Sequence, residues 1–98
     1  MTVKAVLELK LNPDTLEEAR GVLKKVLDET RAFDGSVGVE TLVDQGDPTH
    51  LIIIEEWQSA EHDAAYRTFR AGPGATSELG PLLAGAPALT KVDIDPAV

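Results

Sequence analysis

Apolar and polar residues alternate at the start of the chain. Val3, Ala5, Leu7, Leu9 and Leu11 fall on one side and Lys4, Val6, Glu8 and Lys10 on the other. This period of two predicts a half-buried strand over residues 3–11. After "NPDTLEE" the period lengthens: Leu16, Ala19, Leu23, Val26, Leu27 and Thr30 recur at helical spacing and predict a helix over 15–31. Asp14 and Glu17 have the spacing of a capping box at its start. "FDG" ends the helix. Val37, Val39, Thr41 and Val43 then alternate with Ser36, Gly38, Glu40 and Leu42 as a second strand, in which Gly38 marks a bulge or a close approach. "DQGDPTH" reads as a hairpin loop that leaves His50 in solvent. A third strand follows over 51–57, apolar on both faces at its beginning, as strands covered on both sides are. Ser59 suits the N-cap of a helix running to Phe69, with His62, Ala65, Tyr66 and Phe69 on one face. "AGPG" closes that helix, "TSELGPLLAG" has room for a short extra helical turn, and a last strand is predicted over 88–95.

The order β-α-β-β-α-β predicts an α+β fold, a ferredoxin-like protomer whose four-stranded antiparallel sheet carries both helices on one face. The other sheet face then presents Val6, Leu42, Ile52 and Ile54. An apolar face left open predicts a partner, and face-to-face packing of two such sheets in a homodimer supplies one.

Composition narrows the function. A length of 98 residues with 43% hydrophobic content predicts one domain, 1–98, with a core. The formal net charge of −8 at pH 7 repels a phosphate backbone, so nucleic acid is not an expected partner. The absence of Cys excludes disulfides, thiolate zinc sites and thiol nucleophiles, and two separated His residues do not make a metal site. No apolar run has the length of a membrane span and "MTVKAVLELK" does not read as a signal peptide, so a soluble cytoplasmic protein is expected. "AGPGA" does not match the dinucleotide-binding fingerprint, and no cofactor is expected.

The stretch "RAFDGSVGVETLVDQGDPTHLIIIEEWQSAEHDAAY" carries a resemblance. A Gly before the second strand, an Asp-Pro hairpin, an apolar strand ending "EEW" and a Ser-capped helix stand in the order found in the antibiotic-biosynthesis-monooxygenase family, which the chain resembles over nearly its full length. The resemblance implies a dimeric α+β barrel with a pocket between sheet and helices in each protomer. It also implies activities that range from cofactor-free oxygenation of quinols or polycyclic aromatics to haem degradation and isomerisation.

In that pocket the resemblance places Trp57 on the wall. Leu7, Leu9, Val39, Ile53 and Phe69 form an apolar lining for a small hydrophobic or aromatic metabolite. Tyr66 offers a phenol to a substrate oxygen, and His62 offers a group that titrates near neutral pH. Glu55 shares a strand side with Trp57 and is a candidate base, in competition with a structural salt bridge to Lys4, Lys10 or Arg67. Each of the four also has a bland reading: Trp57 and Tyr66 as core aromatics, His62 as an exposed first-turn residue, Glu55 as an ion-pair partner. The haem-degrading branch uses an Asn in the first strand and a His about nine or ten residues after the Trp. Here the first strand has no Asn, and the helix positions read Tyr66 and Arg67, which argues against haem degradation.

Overall fold

In the computed structural model, which describes residues 2–98, the chain runs β1 (Val3–Lys10), α1 (Leu16–Ala32), β2 (Ser36–Asp44), β3 (Asp47–Trp57), α2 (Ala60–Ala71) and β4 (Ala88–Asp93). Short 3-10 turns at Pro13–Thr15 and Gly80–Leu82 complete it. The strands form one antiparallel sheet in the order β2-β3-β1-β4, the ferredoxin-like α+β arrangement.

Register decides which side chains meet. Leu7 lies across from Ile53 and Leu9 from Leu51, while Thr41 and Val43 of β2 flank the same two β3 residues from the other side. Because strand side chains alternate, these residues share the sheet face that the helices cover. Ala19, Leu23 and Leu27 of α1 pack onto Leu9, Leu11, Leu51 and Ile53 to make the core. Each leucine or isoleucine buried in this way stabilises the fold by about 1.5–3 kcal/mol. On the opposite face Val6, Ile52 and Ile54 are half-buried, and Leu42 and Val92 are exposed.

The structure departs from the sequence reading in four places. First, the chain enters α1 through a 3-10 turn in which Asn12 Oδ1 accepts the Asp14 amide at 3.0 Å, so Asp14 is not the N-cap. Thr15 holds that position without a side-chain cap bond. Second, the hairpin is tighter than expected: β3 begins at Asp47, and its polar end is tied down by the Lys10–Asp47 pair and by Asp47 Oδ1, which accepts the Thr49 amide and hydroxyl at 3.0 and 2.6 Å. These bonds, Lys10's foremost, hold the Asp47 carboxyl far below the usual carboxylate range. His50 is accordingly a strand residue, its Nδ1 2.9 Å from Asp44 Oδ2, and not a solvated loop residue. Third, a register shift between Ser36 and Gly38 interrupts the alternation and leaves Val37 exposed, which gives the bulge reading of Gly38 its geometry. Fourth, the last strand stops at Asp93, and Ile94 lies beyond it.

Candidate functional site

The end of β3 and the inner side of α2 bring the candidate residues together. Glu55 and Trp57, two apart on β3, point to the same covered face and are both buried. Trp57 Nε1 donates to Glu55 Oε1 at 3.1 Å. Arg67 reaches across from α2 to the same Glu55 oxygen and also donates through Nε to Asp63 Oδ1 at 3.1 Å. Lys91 of β4 closes the chain of charges, with Nζ 3.0 Å from Asp63 Oδ2. Two buried carboxylates are thus matched by two cations. Burying a charge is costly unless it is paired and hydrogen-bonded, and this pairing meets that requirement. Of the three salt-bridge partners considered for Glu55, the tertiary structure selects Arg67.

Four aromatic rings pack against this network. Trp57 and Tyr66 have centroids 4.8 Å apart at 32°, and Phe33 stands at 6.1, 5.3 and 5.2 Å from Trp57, Tyr66 and Phe69. Edge and offset contacts of this kind add to the area that the rings bury. The Tyr66 hydroxyl is fully engaged. Arg70 Nε donates to it at 2.7 Å, it shares a 2.7 Å bond with Thr30 Oγ1, and Thr30 Oγ1 lies 3.1 Å from Val26 O. The proton order that satisfies all three is Arg70 to Tyr66, Tyr66 to Thr30 and Thr30 to the Val26 carbonyl. Burial opposes the charge on Arg70. Its hydrogen bonds to Tyr66 and Glu29 outweigh that and hold the guanidinium above its usual range.

His62 sits at the first turn of α2. Ser59 Oγ accepts its amide at 3.2 Å and shares a 2.7 Å bond with its Nδ1, while Nε2 is 3.8 Å from Asp34 Oδ2. Its ring lies against Gly35, so it is committed to the turn between α1 and β2. Of the expected lining, Leu9 and Ile53 are core residues, and Leu7 and Val39 pack partly buried beside them. Phe69 differs: it borders a cavity of about 260 Å³ between α1 and residues 73–78, walled also by Val26 and Glu29. Gly74 permits this arrangement, because a Cβ there would lie 2.2 Å from the Phe69 ring.

Four participants were not singled out by sequence reasoning, among them Lys91, which no spacing links to Asp63. Arg70 carries a signal, since it stands four residues after Tyr66 on the same helix face. Asp63 likewise stands four residues before Arg67 on one helix face. Phe33 carries none, because it lies outside both helical patterns and only the chain reversal at Gly35 brings it inward.

A sequence profile described as antibiotic biosynthesis monooxygenase matches residues 2–76. No curated protein matches by sequence. Among solved structures, Rv0793 from Mycobacterium tuberculosis is 21% identical with a TM-score of 0.81, covering 100% of both chains. A conserved protein from Methanosarcina mazei Go1 is 15% identical with a TM-score of 0.81, covering 93% of this chain and 90% of its own. A structure described as an antibiotic biosynthesis monooxygenase is 20% identical with a TM-score of 0.76, covering 96% of this chain and 99% of its own. At these identities the structural likeness speaks for the fold. Among the described residues no helix is long and apolar enough to cross a membrane.

Proposed function

The chain belongs to the antibiotic biosynthesis monooxygenase family, and on that premise we propose that it is a cytoplasmic, cofactor-independent monooxygenase acting on a quinol, anthrone or related aromatic metabolite. The observation that carries this reading is the aromatic cluster of Phe33, Trp57, Tyr66 and Phe69 built over a buried carboxylate. A deprotonated anthrone is itself the reductant: its methylene carbon and one O2 yield a carbonyl and one water, so electrons balance without a carrier. The protein then has to take a proton, hold the resulting anion and exclude water. The Trp57 and Arg67 bonds to Glu55 both fall on Oε1, leaving Oε2 as the oxygen for the substrate proton. The donor for the anion is the Tyr66 hydroxyl, which exchanges its Thr30 bond for one to the substrate while Arg70 holds it in place.

A second reading, binding without oxygen chemistry, is favoured by one observation: Arg67 already neutralises Glu55. Oxygen uptake with a panel of anthrones and quinols separates the two. Protein-dependent uptake is expected, with kcat lowered about 10²-fold or more in Glu55→Gln, and with loss of uptake in Tyr66→Phe. No uptake with any substrate, together with saturable quenching of Trp57 fluorescence, would establish the binder instead.

The protein is proposed to work as a homodimer joined through the open sheet face. Val6, Ile52 and Ile54 form its centre, and the charged Lys4, Glu8 and Glu40 surround them, the anatomy of an interface core and rim. Sedimentation velocity is expected to give a dimer at micromolar concentration, and Ile54→Lys a folded monomer. A wild-type monomer would overturn the sheet-packing arrangement.

A further inference from the structure

A second concave site lies away from the aromatic cluster, between α1 and the β2–β3 hairpin. Its floor is apolar: Leu23 and Leu27 of α1 and Leu51 of β3, each almost fully buried, with Val43 of β2 along the open side. Its volume is about 210 Å³. An apolar cavity of roughly 150 Å³ already accepts benzene, so one substituted aromatic ring fits and a polycycle does not.

The rim has the opposite character. Arg20, Lys24 and Arg31 all border the groove. Their spacing of four and seven residues sets them in one stripe along α1. Asp28 pairs with Lys24 at 2.7 Å and Arg31 at 3.0 Å, and Glu17 stands 3.9 Å from Arg20. Three cations against two carboxylates leave one positive charge, on a chain whose net charge is −8. Arg31 Nη2 also donates to the Val39 carbonyl at 3.3 Å, which tethers the guanidinium toward β2. One net charge, with Asp28 beside it, suits a singly charged head and disfavours a phosphate dianion.

We propose that this groove binds a small amphipathic carboxylate with a single aromatic ring, the ring on the leucine floor and the carboxylate at Arg31 and Lys24. The site is separate from the aromatic cluster, and its occupancy is read without any oxygen chemistry.

The test titrates isotope-labelled protein with benzoate and with its neutral counterpart benzamide, following backbone amide shifts. Benzoate is expected to move the Leu27, Val43 and Leu51 amides and to bind about fivefold more tightly than benzamide, since a charge-assisted bond is the stronger kind. Added salt should erode that advantage. The double variant Lys24→Gln with Arg31→Gln should abolish it while leaving benzamide binding unchanged. Val43→Trp, a change at an exposed position that fills the groove, should remove both ligands. Equal binding of benzoate and benzamide would overturn the carboxylate assignment. Benzoate shifts centred on Phe69, or no saturable shifts at all, would overturn the site.

Discussion

Replacing Arg67 with Met is expected to remove about 3 kcal/mol of folding stability, the lower end of the range for breaking a buried ion pair. The lower end applies because the Arg67 side chain keeps 23% of its exposure, so water recovers part of the loss. The cost comes from what remains. Glu55 and Asp63 are 2% and 3% exposed, and without Arg67 the first has only the Trp57 indole and the second only Lys91. Methionine keeps most of the apolar stem, so the measurement isolates charge from packing. Urea unfolding followed by Trp57 fluorescence reads the change. Adding Glu55→Gln to Arg67→Met should return part of the stability, because a neutral amide tolerates the site better than an unpaired carboxylate. A loss below about 1 kcal/mol in the single variant would mean that the network is solvated and behaves as a surface pair.

Gly35→Ala is expected to cost about 2–4 kcal/mol, from two sources that can be separated. Gly35 has φ of +88°, a backbone region that costs an L-residue roughly 1–2 kcal/mol. In addition, a Cβ there would lie 2.2, 2.3 and 2.5 Å from His62 Cδ2, Cγ and Cβ, so the base of that side chain has to move and not merely its tip. Removing the ring with His62→Ala should relieve part of the second contribution, since Cδ2 and Cγ go while Cβ stays at 2.5 Å, so Gly35→Ala in that background should cost less than in the wild type but more than the backbone share. Full additivity of the two changes would show that the turn relaxes away from α2 by itself. The turn matters to the site because the Gly35 carbonyl accepts the Gln58 amide at 2.9 Å, joining the chain just after Phe33 to the chain just after Trp57.

The elements were legible because their periods were clean. Alternation in β1 and around Ile53, and the helical spacing of Leu16, Leu23 and Leu27, each describe a face that must be buried, and the sheet and helices bury those faces together. Boundaries failed where polar side chains took over from hydrophobic pattern. Asn12 rather than Asp14 organises the start of α1, and Asp47 and Thr49 draw a segment that reads as a loop into β3. Period alone carries no information about such bonds.

The candidate site was legible in outline only. Trp57, Tyr66, Phe69 and Glu55 do converge, because strand alternation and helix spacing aim them at one space. His62 obeys the same spacing, yet its Nδ1 is taken up by Ser59 and its ring is turned toward Gly35 and Asp34.

The sequence by itself determined the order of elements, the side of β3 that carries Glu55 and Trp57, and the family, since all three follow from local spacing and residue type along one stretch. Tertiary structure alone decided that Arg67 pairs with Glu55, that Thr30 holds the Tyr66 hydroxyl, and that Phe33 completes the ring cluster. The physical reason is distance along the chain. Each of those contacts joins residues on different elements of the chain, and a side chain's period states which face it occupies but not which partner from another element will be waiting there.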